Sequence, residues 1–304
     1  MKIIRRAIPD HVQPLEGVPN FLSKIYLARG IESADDLNNG LAGLHKPDSM
    51  KGLVKATELL YEAMLKEWRI LIVGDFDCDG ATSTALAVSA LNQFGAKYVD
   101  YIVPNRFEFG YGLTPQIVEF AHEHKMPGLI ITVDNGISSV EGVRRAKELG
   151  IKVLITDHHL PGDESPEAEA VVNPNQLGCE FESKNAAGVG VIFYVLTYLR
   201  SYLRDKNWFA DRNIAEVNMS SFLDLVALGT VADIVPLDKN NRTLVAQGVA
   251  RMRADRCRPG IRALMQVAGK NVAKLKTSDL GFIVGPRLNA AGRLDDMSIG
   301  IECC

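Results

Sequence analysis

The sequence predicts an α/β fold: a parallel sheet flanked by helices and followed by a mainly helical half. Three observations carry this. Ile70-Leu-Ile-Val-Gly74, Leu129-Ile-Ile-Thr-Val133 and Ile151-Lys-Val-Leu-Ile-Thr156 are short, β-branched runs of the kind that form strands buried on both faces. Helical stretches separate them, and strand–helix alternation implies parallel strands joined by right-handed crossovers. From Gly188 onward the pattern is helical.

Residues 1–47 read as an N-terminal helical extension, short pieces broken by Pro9, Pro14, Gly17, Pro19 and Gly30, with a helix start at Ser33-Ala-Asp-Asp36. Residues 48–265 form the predicted main domain. A helix over Val54–Lys66 leads to the first strand, and Thr82-Ser83 opens the next helix. A strand over Tyr98–Val103 stops at Pro104. Helices over Pro115–His124 and Val140–Leu149 lead to the strands ending at Asp134 and Asp157, and Ala170–Val172 adds a short strand. Helices follow over Val191–Leu203, Met219–Ala232, Asn241–Arg253 and Gly260–Val267. Asp295-Asp-Met-Ser-Ile-Gly-Ile301 reads as the entry to a further helix, yet the sequence stops at Glu302-Cys-Cys304 and so reads as truncated.

Apolar content of 47% and charged content of 23% are those of an ordinary globular protein. A net charge of −3 supplies no global basic field, so a nucleic-acid partner requires a local patch. The five cysteines, Cys78, Cys179, Cys257, Cys303 and Cys304, are odd in number and lack zinc-knuckle spacing, which points to a reducing, cytoplasmic setting. No apolar run approaches the ~18 residues of a membrane span, and none after Met1-Lys-Ile-Ile-Arg-Arg6 suits a signal peptide.

Each of the three strand runs ends in acidic chemistry: Asp75, Asp77 and Asp79; Asp134-Asn-Gly136; Asp157-His-His159. In open α/β sheets the ligand crevice lies at the carboxyl ends of the strands, so the clusters are expected to converge there. Crowded carboxylates repel one another unless a cation holds them, so a divalent metal site is the simplest resolution. A calcium loop fails at its twelfth position, where Leu86 stands in place of the bidentate Glu. Asp77 and Asp79 can serve two metals, Asp134 is placed to bridge them, and His158 adds a nitrogen that favours Mn²⁺ over Ca²⁺. The apolar stretch Leu225–Ala232 delivers a further carboxylate, Asp233. Two ions so held make a hydrolytic clamp. Asp75 reads as readily as a support for its neighbours as a ligand. Asp224 reads as a polar contact near a helix start, and His11, His45, His122 and His124 as surface or packed residues.

Asp157-His158-His159, with Asp77-x-Asp79 and Asp134, resembles the DHH phosphoesterase superfamily, and within it the RecJ family of single-strand exonucleases. The supporting segments are Val73–Ser83, Pro104–Leu113, Ala187–Gly190, Leu228–Leu237 and Gly285–Arg293. The resemblance implies a DHH-type catalytic domain over 48–265, with Asp77, Asp79, Asp134, His158 and Asp233 as ligands of two Mn²⁺ or Mg²⁺ ions. It implies that His159 contacts the scissile phosphate, that Asp157 orients a histidine and that Asp75 is a ligand or close support. It further implies 5′→3′ digestion of single-stranded DNA to mononucleotides in recombination and repair, with a helicase and a single-strand-binding protein as partners. Members carry a further domain with a Gly-rich, His-containing motif; residues 266–304 are expected to begin the connector to it.

Signals for nucleic acid are weaker. Arg251, Arg253, Arg256, Arg258 and Arg262 crowd one stretch, and Arg253, Arg256 and Arg258 are candidates for a DNA backbone. Arg106 with Phe107, Phe109 and Tyr111 mixes charge with aromatics that suit base stacking, and Asn105 is a candidate phosphate contact. Arg287 and Arg293 flank a small-residue loop, Asn289-Ala-Ala-Gly292, which in the resembling family lines the DNA path. Gly188 and Gly190 read first as permitting tight helix packing. The leading expectation is therefore a monomeric two-metal exonuclease. The alternatives are a hydrolase of short oligonucleotides or pyrophosphate, and a catalytically weak DNA-binding fragment.

Overall fold

The computed structural model describes residues 13–104, 110–294 and 297–304, with the backbone alone at 293 and 294. Helix α1 (Asn20–Leu27) and three 3₁₀ turns precede α2 (Leu53–Leu65). The α/β part follows: β1 (Arg69–Gly74), α3 (Cys78–Gln93), β2 (Tyr98–Ile102), α4 (Pro115–His124), β3 (Leu129–Val133), α5 (Val140–Glu148), β4 (Lys152–Thr156) and β5 (Ala170–Val172). The strands form one sheet in the order β2-β1-β3-β4-β5, every neighbouring pair parallel.

The three apolar runs are continuous because β1, β3 and β4 are buried on both faces. Ile70 and Ile72 point into a core shared with α2 and α3, whereas Leu71 and Val73 point into a second core with α4 and α5. From β1 the chain crosses to β2 at one side; from β3 it continues to β4 and β5 at the other. The crevice of such a sheet opens where the order reverses, between the carboxyl ends of β1 and β3.

The helical half begins with α6 (Gly188–Asp205) and α7 (Trp208–Asp211). It continues with α8 (Leu223–Ala232), α9 (Lys239–Arg253) and α10 (Pro259–Val267). Helix α8 is apolar all round and buried from Leu223 to Thr230, as a helix enclosed by others must be. The sequence joins it to Met219–Phe222, which instead forms a separate 3₁₀ turn. Helix α6 starts earlier than the Val191 expected, because its first N–H groups find an acceptor in Asp79 at the start of α3.

A last helical run comprises α11 (Thr277–Asp279), a π-helical turn (Leu280–Val284) and α12 (Gly285–Leu294), followed by α13 (Ser298–Cys303). Asn289–Gly292, expected as a loop, therefore lies in a helix. Leu280, Val284, Leu288, Met297 and Ile301 join the same core as α3, so this part of the expected connector packs against the α/β unit. At the other end, Ser33 caps its 3₁₀ turn in a capping box with Asp36, and Asp36 pairs with Lys239 of α9 at 3.3 Å. Among the described residues no helix is long and apolar enough to cross a membrane.

Candidate metal centre

The turn after β1 places three carboxylates by local rules. Asp75 accepts a hydrogen bond from the N–H of Phe76 at 2.7 Å. Asp77 is the N-cap of α3 and accepts from the N–H of Gly80 at 2.9 Å. Asp79 lies in the first turn of α3, fully buried. Its two oxygens accept from the N–H groups of Gly188 (2.7 Å) and Val189 (3.0 Å) at the start of α6. Helix amino termini carry partial positive charge, so two of them face the acidic cluster and offset part of its repulsion.

After β3, Asp134 sits in the left-handed region (φ 62°), an uncommon conformation held by its surroundings. Its N–H donates to the carbonyl of Thr156 at 3.1 Å. The Asn135 amide donates to the carbonyls of Val73 (3.1 Å) and Val133 (2.9 Å), tying β1 to β3 at the mouth of the crevice. After β4, Asp157 is buried and accepts four hydrogen bonds: from the N–H groups of Ile137, His158 and His159, and from Nδ1 of His159 at 2.7 Å. Asn175 and Asn173 fix the same turn by donating to the carbonyls of His158 (2.6 Å) and His159 (2.9 Å).

Asp233 ends α8 and brings its Oδ2 to 3.5 Å from Nε2 of His158; Oδ1 of Asp134 is 3.1 Å from the same nitrogen. Three overlapping donor groups result: Asp75, Asp77 and Asp134; Asp79, His158 and Asp233; Asp134, His158 and His159. Asp134 and His158 each belong to two of them.

The electrostatics match this crowding. Burial, then the neighbouring Asp77 charge, pushes Asp75 up to about 7. Asp79 and Asp134 are pushed well above the usual carboxylate range by burial and by the surrounding carboxylates. Asp233 rises to about 6 through burial and Asp77. His158 falls to about 4 through burial and the charge of His159, so its lone pair is available at neutral pH. His159 rises to about 8 because Asp157 accepts its proton-bearing nitrogen. Burial opposes the Asp157 charge, but the His159 bond and the backbone donors hold its carboxyl low.

A divalent cation fits this set. Among the described residues, Oδ1 of Asp134 and Nε2 of His158 have no hydrogen-bond partner and are buried, which is costly unless an electrophile meets them. Carboxylate oxygens with imidazole nitrogen suit Mn²⁺, and the all-oxygen group suits Mg²⁺ equally.

The sequence-predicted residues divide in three. Asp75, Asp77, Asp79, Asp134, Asp157, His158, His159 and Asp233 come together. Asn105 and Arg106 lie outside the described residues, as does the side chain of Arg293 on α12. The remainder lie outside this cluster of eight. Asn289 accepts from the N–H of Cys78 at 2.7 Å, so that oxygen braces the β1–α3 turn. Arg287 is exposed and donates to the carbonyl of Ile283. Arg253 donates to the carbonyl of Leu275, Arg256 is exposed, and Arg258 is paired with buried Asp224. Asp224 and Asp233 lie at opposite ends of α8, nine residues apart, roughly 14 Å along the axis. Arg258 therefore stands well away from the metal centre. Sequence reasoning missed Asn135, Asn173 and Asn175. Their signal was an Asn directly after a strand-end Asp and a pair two residues apart after Val172.

Comparison with known proteins agrees with this geometry. The model of the DHH family, N-terminal domain, matches residues 69–230. The single-stranded-DNA-specific exonuclease RecJ of Escherichia coli (strain K12) is 54% identical over 301 residues, covering 99% of this chain and 52% of that protein. The Bacillus subtilis (strain 168) RecJ is 36% identical over 289 residues, covering 94% of this chain and 34% of that protein. The crystal structure of Thermus thermophilus RecJ in complex with Mn²⁺ superposes with a TM-score of 0.77 at 33% identity, covering 94% of this chain and 39% of that one. A RecJ exonuclease bound to manganese gives 0.71 at 36% identity, covering 83% and 60%. The chain thus spans about half the length of the first of these relatives.

Proposed function

The chain belongs to the DHH family, and from that premise we propose that it carries the metal centre of a 5′→3′ exonuclease that hydrolyses phosphodiester bonds of single-stranded DNA in recombination and repair. The observation that carries the proposal is the convergence of eight acidic and imidazole side chains at the carboxyl ends of β1, β3 and β4 and of α8. Asp75, Asp77, Asp79, Asp134, His158 and Asp233 would hold two Mn²⁺ or Mg²⁺ ions, and RecJ structures with each metal support that choice. Bound there, the ions supply Lewis acidity toward a phosphoryl oxygen and lower the pKa of water.

The chain's own residues then have distinct tasks. Asp157 holds the ring of His159 by Nδ1, leaving Nε2 for a phosphate oxygen. In the metal-free chain Asp157 raises this imidazole to about 8, which favours the cationic form that complements phosphate charge. The buried donors to Asp157 keep it ionised, which maintains that state. Asn135 fixes the spacing of the β1 and β3 turns, and with it the distance between Asp75 and Asp134.

Arg287, on the outer side of α12, is a candidate for the DNA backbone, and Asn105, Arg106 and Arg293 complete the proposed contacts. A monomeric, cytoplasmic protein assisted by a helicase and a single-strand-binding protein belongs to the same reading. The test is digestion of a long single strand with Mn²⁺, labelled at one end and then the other. Release of mononucleotides from the 5′ end, abolished by Asp134→Ala, is the expected result. Cleavage confined to dinucleotides or pyrophosphate would replace the substrate, and unchanged activity of the variant would remove the site.

A further inference from the structure

Tyr111 stands at the entrance of the centre in a loop built to present it. The glycines on either side, Gly110 and Gly112, adopt left-handed conformations (φ 78° and 74°) that a side chain rarely takes. The loop is then anchored: Leu113 is buried and its N–H donates to Oγ of Ser139 at 3.0 Å. Held this way, Tyr111 remains 52% exposed. It makes T-shaped contacts with His159 (centroids 6.1 Å apart, planes at 80°) and Phe76 (6.2 Å, 80°), and its hydroxyl lies 3.5 Å from the carbonyl of Asp134. The ring therefore touches the turns after all three catalytic strands while staying open to solvent. A core tyrosine would be covered, and a surface tyrosine would not converge on three site turns.

The geometry points to Tyr111 as the side chain that stacks on the nucleobase of the reacting nucleotide; this rests on the single-strand exonuclease reading. The half-exposed ring offers a π-face directly beside His159, the residue assigned to the phosphate. Every base has a π-face, so such stacking holds a nucleotide without reading its sequence. Pyrophosphate has none, so an aromatic side chain in this position favours a nucleotide substrate. Phe76, in T-shaped contact with Tyr111, steadies the ring.

The test uses a short single strand with 2-aminopurine as its 5′-terminal base and a phosphorothioate at the first linkage, in Mg²⁺. Stacking quenches this fluorophore. Wild type and Tyr111→Phe are expected to quench it and bind alike. Tyr111→Leu and Tyr111→Ala are expected to lose the quenching and bind about five- to hundredfold more weakly. A strand with an abasic 5′ end is expected to bind wild type and Tyr111→Ala equally. Quenching retained in Tyr111→Ala would overturn the assignment. So would an equal loss on the abasic strand, which would mean that Tyr111 acts only by steering His159. Cleavage of an unmodified strand, run in parallel, reports on the exonuclease reading separately: quenching without cleavage keeps the stacking role and removes the exonuclease.

Discussion

Gly188 and Asp134 compete for one space: a Cβ on residue 188 would lie 2.4 Å from Oδ1 and 2.7 Å from Cβ of Asp134. The start of α6 can thus approach the centre and donate to Asp79 only because residue 188 has no side chain. Gly188→Ala must displace either the helix or Asp134. We expect a loss of about 1–3 kcal/mol in stability, as for other overpacked sites, and at least a tenfold loss in Mn²⁺ affinity. Gly190 is the control: its added Cβ would meet nothing nearer than Ala186 Cβ at 3.8 Å. Gly190→Ala should keep full metal affinity and gain up to about 1 kcal/mol from helix propensity. Thermal unfolding and calorimetric titration of both variants decide the matter.

Asp134→Asn separates the two roles of that carboxylate. In the metal-free chain burial and the neighbouring Asp79, Asp77 and Asp75 oppose ionisation of Asp134, so folding must neutralise a carboxylate that is charged in the unfolded chain. Replacing it with a neutral amide is expected to raise the melting temperature of metal-stripped protein while weakening Mn²⁺ binding at least a hundredfold. A variant that is less stable without metal, or that still binds Mn²⁺ normally, would contradict the shared-ligand role.

The raised carboxylates set the pH dependence. Asp75 at about 7 and Asp233 at about 6 bind protons in the folded, metal-free chain that the unfolded chain releases near ~4. Between those values the folded state holds more protons, so metal-free stability falls as pH rises from ~4 to about 7. Metal must displace the protons. Stabilisation by Mn²⁺ should therefore be small at pH 5.5 and large at pH 7.5, with proton release visible as a buffer-dependent heat of binding. A gain independent of pH would refute the linkage.

His159 and Asp157 titrate in senses opposite to each other. The folded pKa of His159, about 8, lies above its unfolded value, so its contribution is complete below ~6.5 and is lost as pH rises through about 8. Asp157 is depressed, so its contribution is present above ~4 and is lost as pH falls through its folded value. Asp157→Asn should return His159 toward ~6.5. The imidazole resonances followed by NMR against pH in both proteins give the answer.

The strand ends were legible because buried parallel strands leave an unmistakable apolar run, and an Asp after such a run faces the crevice. Asp233 was legible for the same reason: an apolar helix such as α8 has nowhere to send a carboxylate except a paired site. In the arginine-rich stretch, charge density along the chain does not reveal that the Arg258 guanidinium has a buried partner. Asp224, nine residues before Asp233 and legible as a polar contact near a helix start, is that partner. The loop expected at Asn289–Gly292 is a helix because its small residues let it press on the metal turn: a Cβ at Gly292 would lie 2.1 Å from the carbonyl of Phe76. Composition favoured a loop, and tertiary packing overrode it.

Arg258 and Asp224 carry the last prediction. Asp224 is 1% exposed and accepts from the Arg258 backbone N–H at 3.0 Å as well as from its guanidinium, which also lies over the Phe222 ring. Arg258→Ala leaves that carboxylate buried without its countercharge, which costs about 3–5 kcal/mol. Arg256 is exposed, and Arg256→Ala should change stability by no more than about 0.5 kcal/mol. Because the pair sits at the far end of α8 from Asp233, Mn²⁺ affinity at a temperature where both variants are folded should match wild type. Urea unfolding, Mn²⁺ titration and single-strand binding at fixed salt test this together. If Arg258→Ala kept its stability but lost affinity for the strand, the guanidinium would serve DNA rather than Asp224.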